Sequence, residues 1–211
     1  MTVEVDISGY SYENAYPNSS HAYLLPTLSE ELAGLRLTKE KRLFELGCGN
    51  GSIAAALSTV GWEVSGVDPS EEGIAQANKK YPELRLEMGS AYDDLVGRFG
   101  RFPVVTSLEV IEHVYAPRDF LNSLFSLVEP GGTAIISTPY HGYLKNLVLA
   151  MTGKMDAHFT ATWDHGHIKF WSIRTLTILL EEAGFRDIRF RRVGRIPVLA
   201  KSMVAIMKRP G

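Results

Sequence analysis

Three glycines stand at alternate positions, Gly47, Gly49 and Gly51, between an apolar run and the helix-forming segment SIAAALSTV. Glycines in such a turn remove side-chain bulk and allow positive φ, and the start of a helix adds free backbone N–H groups. A strand, a glycine-rich turn and a helix start in this order are typical of a loop that approaches a small, polar, nucleotide-like ligand. A tight turn with a purely structural role is the alternative, because a glycine-rich loop alone is a weak signal.

A carboxylate, Asp68, stands 21 positions after Gly47, at the end of the next apolar run. An acidic residue about 20 positions after a glycine turn is where a ribose is bound, since its two oxygens can accept from two vicinal hydroxyls. Pro69 follows directly and could supply a flat apolar wall for a base. The alternative is a solvated turn aspartate. Cys48, inside the turn, is interpreted as a small filler and not as a nucleophile.

Carboxylates and histidines form a further group, which comprises the E-x-x-E-H run Glu109, Glu112 and His113 and the histidines of the motif WDHGH, His165 and His167. If the chain coils there, the first three lie at i, i+3 and i+4 on one helical face. Two carboxylates and two imidazoles could hold a divalent metal such as Mg²⁺, with open positions for substrate oxygens. His113 is also placed to act as a general base. The alternatives are that Glu112 caps or pairs on the surface and that His113 is a satisfied pocket histidine.

The totals describe an ordinary globular chain of 211 residues, most simply one domain with a full core. The net charge of −2 gives no global electrostatic reason for binding to nucleic acid or membrane. One cysteine excludes an internal disulfide and suits a reducing compartment. No run reaches the ~18 apolar residues of a membrane span, and the N-terminus lacks the basic start and apolar stretch of a secretion signal. We therefore expect a cytoplasmic protein.

Strand and helix patterns alternate along the chain. Strands are predicted at 43–46, 62–68, 84–88, 104–108, 133–138, 185–193 and 202–208, and helices near 21–35, 52–60, 70–81, 120–128 and 172–184. This alternation predicts a parallel sheet covered on both faces, and two closing strands joined without a helix predict an antiparallel edge. The expected fold is therefore α/β, a seven-stranded, mostly parallel, Rossmann-like sheet with helices on both faces and an antiparallel edge strand.

With these pieces in order, residues 35–208 resemble the class I S-adenosylmethionine-dependent methyltransferases. The resemblance rests on the ELGCGNG run at 45–51, on Asp68, on LEVIEHV at 108–114 and on the Pro-Gly-Gly turn at 130–132. A nicotinamide-dependent oxidoreductase is the alternative from another class. Its fingerprint spaces the glycines as GxGxxG, whereas this chain has GxGxG.

The resemblance implies a role for each matching residue. The glycines would lie beside the methionine part and ribose of the cofactor, Glu45 would orient the loop or bind the amino group through water, and Asp68 would hold the ribose hydroxyls. Ser90 and Ala91 occupy the place that contacts adenine; many members have an aspartate where Ser90 stands, so a weaker contact, or one from Ala91 or Tyr92, is expected. The full cofactor-binding set is Glu45, Gly47, Cys48, Gly49, Gly51, Asp68, Pro69, Ser90, Ala91 and Glu109.

Glu109 and His113 are the predicted catalytic residues, and Glu109 would line the methyl-donor pocket. The E-x-x-E-H run and HGHIKFW are similar to two subgroups, the ubiquinone-pathway O-methyltransferases and the small-RNA terminal 2′-O-methyltransferases. In these, the run and one later histidine bind metal, which implies Glu109, Glu112 and His113 together with His165 or His167, since the spacing of HGHIKFW matches neither subgroup cleanly. An RNA enzyme would be expected to carry a basic footprint, so the charge balance favours a small-molecule acceptor.

We therefore expect one domain, 1–211, that uses S-adenosylmethionine, with a divalent metal as an open question, to methylate a small molecule, most simply on oxygen by in-line transfer. The alternatives are a metal-dependent RNA 2′-O-methyltransferase and a nicotinamide-dependent oxidoreductase. Residues 1–35 are interpreted as a lid and helix, because the tyrosines Tyr10, Tyr12, Tyr16 and Tyr23 could fold over a ligand. Residues 139–170 are interpreted as an insertion that covers the substrate, although their apolar stripe is also compatible with core packing.

Overall fold

The computed structural model describes residues 14, 16, 19–35, 41–163 and 166–211. The predictions for Tyr10, Tyr12 and His165 fall outside these residues. The strands are β1 (Arg42–Leu46), β2 (Glu63–Asp68), β3 (Arg85–Met88), β4 (Phe102–Leu108), β5 (Val128–Pro139), β6 (Arg186–Val193) and β7 (Ser202–Lys208). The helices are α1 (His21–Ala33), α2 (Ser52–Ser58), α3 (Glu71–Lys80), α4 (Leu95–Phe99), α5 (Pro117–Leu127), α6 (Tyr143–Met151), α7 (Met155–Phe159) and α8 (Ile173–Glu182), with a 3₁₀ turn at Pro197–Leu199.

The seven strands form one sheet in the order β3-β2-β1-β4-β5-β7-β6. Strands β1 to β5 run parallel to one another, and β7 runs antiparallel to both β5 and β6. The predicted fold is confirmed, including its antiparallel edge, where β6 is the outermost strand. The carboxyl ends of β1, β2, β4 and β5 consequently meet the start of β7 at one edge of the sheet.

Helices cover both faces because successive residues of a buried strand point to opposite sides. In β1, Leu43 packs into the cluster that contains Leu24 and Leu28 of α1, whereas Phe44 packs into the cluster on the side of α5. All four of these side chains are at most 1 % exposed. The central strands are thus packed between two apolar layers, and this packing fixes the positions of the residues at the edge where those strands end.

Two predicted helix starts are confirmed by their caps. The Ser70 side chain accepts a hydrogen bond from the Gly73 N–H at 3.1 Å, and Ser172 forms a reciprocal capping box with Thr175. The Pro-Gly-Gly turn at 130–132 lies inside β5 as an irregularity, since Phe102 pairs with Val128 but Val104 already pairs with Thr133. The short α4 was not predicted, because five residues are too few to show a period.

The predicted cover, 139–170, contains α6 and α7. The apolar residues of α6 are exposed rather than buried, namely Tyr143, Leu144, Leu147, Val148 and Met151, whereas Lys145 is buried. Core packing of this stripe, the alternative interpretation, is therefore excluded. No helix in the described part of the chain is both long enough and apolar enough to span a bilayer.

Candidate active site

The glycine-rich loop takes the backbone form that its sequence predicts. Gly47, Gly49 and Gly51 have φ of 84°, 51° and 71°, a region that L side chains rarely adopt. A Cβ on Gly47 would stand 2.5 Å from a methyl group of Val110, on the turn after β4. The loop after β1 therefore packs directly against the turn that carries the E-x-x-E-H run.

Asp68, at the end of β2, fastens this loop. Its Oδ2 accepts from the Gly49 N–H at 2.8 Å and its Oδ1 accepts from the Ser70 N–H at 2.9 Å. The side chain is 6 % exposed, so the alternative of a solvated turn aspartate is wrong. Each carboxylate oxygen has two lone pairs and can accept more than one hydrogen bond.

Glu45 and Cys48 lie beneath the loop and are both buried. Burial raises the pKa of Glu45 to about 8, and the charge of Asp68 adds to this effect, while the Ala54 backbone N–H lowers it. One oxygen of Glu45, Oε2, is buried without a hydrogen-bond partner among the described residues. Burial also raises the pKa of the Cys48 thiol, which agrees with a filler and not with a nucleophile.

Pro69, Ser90 and Ala91 are half-buried and lie at the ends of β2 and β3. The Ser90 N–H donates to the Asp93 carboxylate at 2.8 Å, and the Ser90 hydroxyl accepts from the Tyr92 N–H at 3.2 Å. These bonds fold the chain after β3 into a turn beside the glycine-rich loop. The three residues thus stand at the same sheet edge as Asp68, where the adenine was expected.

Glu109 follows β4 with φ of 55°, an uncommon value for a residue with a side chain. Its Oε1 accepts from the Ser137 hydroxyl at 2.7 Å and its Oε2 from the Ser202 hydroxyl at 3.1 Å. Burial raises the pKa of Glu109 to about 7, while the two serines and the charge of Lys145 oppose that rise. A carboxylate poised near neutral pH suits proton transfer.

Glu112, His113 and His167 form a compact cluster in which one ligand atom of each residue lies within 4.8 Å of the others. The imidazole centroids of His113 and His167 are 4.9 Å apart. Burial, followed by the charges of His113 and His158, lowers the pKa of His167 to about 4 and keeps it neutral. Neutral imidazoles and a carboxylate are donors that divalent transition metals accept.

The carboxylate of Glu112 is the most deeply buried member of this cluster, with the residue 1 % exposed. No hydrogen bond of normal geometry from the described residues reaches either oxygen. Burial and the charge of Glu109 raise its pKa well above the usual range, and the nearby Thr138 hydroxyl offsets this only in part. The alternative that Glu112 caps or pairs on the surface is wrong.

The last residues of the predicted cover, with Trp171 directly after it, bring His167 to this place. The Glu112 carbonyl accepts from the N–H groups of Ile168 and Lys169 at 2.9 and 3.0 Å, and Trp171 Nε1 donates to the Ile111 carbonyl at 3.4 Å. The E-x-x-E-H run is a single turn closed by the His113 N–H on the Val110 carbonyl, and not a helix. Glu109 consequently does not share a helical face with Glu112 and lies outside the compact cluster.

Ser137, Ser202 and Tyr23 belong to the site but were not singled out from the sequence for this role. Ser137 interrupts the apolar run of β5 near its carboxyl end, which was a usable signal. Ser202 starts β7, and only the antiparallel pairing of β7 with β5 brings it there. The Tyr23 hydroxyl lies 3.3 Å from Ser202 Oγ, so α1 reaches the same network.

Known proteins resemble this chain in sequence and in fold. The ubiquinone biosynthesis O-methyltransferase of Caulobacter sp. (strain K31) is 36 % identical over 126 residues, which are 58 % of this chain and 48 % of that protein. The enzyme of the same name from Thiobacillus denitrificans is 33 % identical over 149 residues, 68 % of this chain and 64 % of that protein. The chain thus spans about half to two thirds of the length of these relatives.

A solved structure of magnesium protoporphyrin IX methyltransferase from Synechocystis PCC 6803 with bound SAH has a TM-score of 0.68 at 18 % identity, over 88 % of this chain and 82 % of that one. This likeness concerns the fold. The family model described as a methyltransferase domain matches residues 20–189, which is most of the chain. The chain therefore belongs to the methyltransferase domain family, as its resemblance to the class I S-adenosylmethionine-dependent methyltransferases predicted.

Proposed function

We propose that this protein transfers a methyl group from S-adenosylmethionine to an oxygen of a small molecule. The observation that supports it most directly is the contact of Gly47 with Val110. This contact sets a nucleotide-type loop, fastened by Asp68, against a turn that bears Glu109, Glu112 and His113. A cofactor site and a group of bases and metal ligands therefore share one edge of the sheet, where open α/β sheets bind their ligands.

The residues present fit the cofactor. The positive-φ glycines leave room for close approach to the backbone, and the Asp68 carboxylate stands at the end of β2, bonded to the glycine-rich loop, with oxygens of the type that accept from ribose hydroxyls. The unpartnered Oε2 of Glu45 is suited to accept from a cationic amino group or from water bound to it. When bound, S-adenosylmethionine would supply an electrophilic methyl group: the acceptor oxygen would form a bond to the methyl carbon, the C–S bond in line with it would break, and S-adenosylhomocysteine would be the leaving group.

The role of the chain is to align the acceptor and to take its proton. Alignment alone can lower the barrier by ~7–11 kcal/mol. Glu109, half-buried and with a pKa of about 7, is the proposed base, and Ser137 and Ser202 fix its two oxygens. His113 is the alternative base if no metal is used.

A divalent cation also fits the site. Among the described residues, the buried Glu112 carboxyl has no hydrogen-bond partner of normal geometry, and His113 and His167 stand beside it with donor nitrogens. A bound cation would favour the ionised form of this carboxyl. These three residues would hold the ion, which would lower the pKa of a bound acceptor hydroxyl. Glu109 would stay outside this set, because both of its oxygens already accept from serines.

The N-terminal segment supports the proposed lid. Asn50, within the glycine-rich loop, donates from Nδ2 to the carbonyls of Asn14 and Tyr16 at 2.7 and 3.2 Å. The Lys80 ammonium lies 3.2 Å from the centroid of the Tyr16 ring. Asn14 and Tyr16 therefore contact the glycine-rich loop, which supports the lid proposed for 1–35.

Methylation of RNA is less well supported. The basic edge strand β6 is partly neutralised, because Arg189 pairs with Glu31, and Arg191 pairs with Glu30 at 2.7 Å and with Glu31 at 3.3 Å. A phosphate-binding surface needs cations that are not already paired. A small acceptor held beneath the cover agrees better with this charge distribution.

The test is a screen of catechols, phenols and short RNAs with methyl-labelled cofactor, with Mg²⁺ and after chelation, beside calorimetry with S-adenosylhomocysteine and NAD. We expect binding of S-adenosylhomocysteine, no binding of NAD, and label on the oxygen of a small molecule. Label on nitrogen, carbon or RNA would contradict the acceptor, and absence of S-adenosylhomocysteine binding would contradict the whole proposal. Full activity after chelation would contradict the proposed metal site, and His113 would then be the alternative base.

A further inference from the structure

A cavity of about 280 Å³ lies between α6, α7 and the 3₁₀ turn at 197–199. Its charged wall is entirely cationic and consists of Lys145, Lys154, Arg195 and Lys201, with His158 beside them. Val148, Leu149 and Leu199 supply apolar surface on the same wall. None of the described residues that line it is a carboxylate, although acidic residues slightly outnumber basic ones in the sequence.

Lys145 is the buried member of this wall. The residue is 7 % exposed, and its ammonium makes one hydrogen bond, to the Lys201 carbonyl at 3.3 Å. Among the described residues, no carboxylate lies within ion-pair distance of it. An ammonium has three donors, and a buried charge is costly unless it is paired and hydrogen-bonded. The cavity therefore contains an ammonium that can donate further hydrogen bonds to a bound anion.

The basic neighbours of Lys145 add positive charge to the same wall of the cavity. Within the described ranges, Lys154, Arg195 and Lys201 take part in no ion pair, in contrast to Arg189 and Arg191 on β6. Burial lowers the pKa of Lys145 to about 8, and the charge of Arg195 contributes to that fall. Like charges held this close favour an anion between them.

His158 adds a neutral polar group to the wall. Its Nε2 is buried and has no hydrogen-bond partner among the described residues. Burial lowers the pKa of His158, and the charges of Lys145 and Arg195 lower it further. A neutral imidazole has one N–H, which it can donate to an oxygen in the cavity.

The cavity adjoins the proposed site of chemistry. The Lys145 ammonium donates to the Lys201 carbonyl at 3.3 Å, and the hydroxyl of the next residue, Ser202, donates to Glu109 at 3.1 Å. The charge of Lys145 also lowers the pKa of Glu109, and the charge of Glu109 raises the pKa of Lys145. His158 likewise acts on His167 of the compact cluster. A molecule with one end in the cavity could therefore place another end near Glu109.

We propose that this cavity is the subsite for an anionic group, a carboxylate or a phosphate, carried by the methyl acceptor. The inference rests on the proposed function and narrows its substrate class. The four cations and His158 would bind the anion, and Val148, Leu149 and Leu199 would contact the apolar part next to it. A carboxylate and a phosphate offer the same acceptor oxygens, so the experiment must separate them.

The experiment measures binding of benzoate, phenyl phosphate and the neutral analogue benzamide by calorimetry, with the protein saturated with S-adenosylhomocysteine. We expect at least one anion to bind about tenfold or more tightly than benzamide, and to weaken as salt rises. The stronger of the two anions identifies the group. Lys145→Met and Arg195→Gln should each reduce its affinity about tenfold without changing the affinity for benzamide or S-adenosylhomocysteine.

Lys79→Gln, an exposed change on α3, is the matched control and should change none of these affinities. Equal affinity for benzoate, phenyl phosphate and benzamide, or anion affinity unaffected by both cavity variants, would overturn the proposal. Binding of a short RNA in place of both small anions would also overturn it. Arg195 is exposed, so Arg195→Gln still provides the test if Lys145→Met does not fold.

Failure of the proposed function gives a different result. If S-adenosylhomocysteine does not bind, the methyltransferase assignment fails, and the same three ligands are titrated into the cofactor-free protein. Anion-selective binding that is lost in Arg195→Gln would then support the subsite alone. Its absence there would overturn both.

Discussion

Replacement of Asp68 by asparagine tests the proposed cofactor site most directly. The carboxylate accepts from the Gly49 and Ser70 N–H groups at 2.8 and 2.9 Å. Asparagine has one oxygen and one NH₂, so it keeps at most one of these bonds and turns a donor toward the other N–H. Hydrogen bonds to charged groups contribute about 1.5–3 kcal/mol each, and we expect the free energy of unfolding to fall by about that amount.

The affinity for cofactor should fall as well, since a ribose hydroxyl would lose its anionic acceptor. The same range of about 1.5–3 kcal/mol corresponds to a dissociation constant about 10- to 150-fold higher. Calorimetric titration with S-adenosylhomocysteine measures this change, and urea unfolding of the cofactor-free protein measures the change in stability. The two measurements separate the structural role of Asp68 from its proposed role in binding.

Asp94→Asn is the matched control. The Asp94 carboxylate also accepts from a backbone N–H, that of Gly97 at 3.0 Å, but it is exposed and caps α4. We expect a loss of about 1 kcal/mol in stability or less and no change in affinity. If Asp68→Asn is destabilised but binds S-adenosylhomocysteine as tightly as the original protein, Asp68 only fastens the loop and the ribose assignment is refuted.

Three other changes test separate parts of the structure. Ser202→Ala removes a donor from ionised Glu109, so the pKa of Glu109 should rise by about 1.1–2.2 and the acid limb of the kcat/KM profile should move to higher pH; an unshifted limb argues against Glu109 as the base. Buried Glu112 keeps its proton in the folded state, so the metal-free protein should lose stability as pH rises above ~4.5. In Glu112→Gln the free energy of unfolding should fall less steeply with pH, and Mg²⁺ should no longer raise the melting temperature. An unchanged dependence of the free energy of unfolding on pH in this variant would contradict the assignment to Glu112. Glu31→Gln removes the pairs with Arg189 and Arg191, which lower the pKa of Glu31 and stabilise the fold above ~4.5. Urea unfolding should show a loss of about 1 kcal/mol at pH 7 and less at pH 3, whereas equal losses would exclude an ionic origin.

The fold and the glycine-rich loop could be predicted because their signals are local. Apolar periodicity, the spacing of Gly47, Gly49 and Gly51, and the position of Asp68 are all read within one strand-turn-helix unit or the next. Carboxyl ends of parallel strands meet at one edge of a sheet, so these residues had to converge once the strands were assigned.

The remaining parts of the site depend on contacts that no local pattern reports. Ser202 reaches Glu109 only because β7 pairs antiparallel with β5, and the positive φ of Glu109 breaks the helical phase on which its metal role was based. Lys145 is buried while the apolar residues around it are exposed, which is the reverse of an ordinary amphipathic helix. The anionic subsite was therefore not visible in the sequence.

Glu112 contacts neighbouring residues through both its backbone carbonyl and its side-chain carboxyl. Its carbonyl receives the backbone of Ile168 and Lys169, while its carboxylate stands beside His113 and His167. A displacement of residues 166–171 would therefore also displace Glu112 and its carboxyl group. A change in the position of 166–171 would consequently change the geometry of the cluster. A ligand that stabilises the position of one would also stabilise the position of the other.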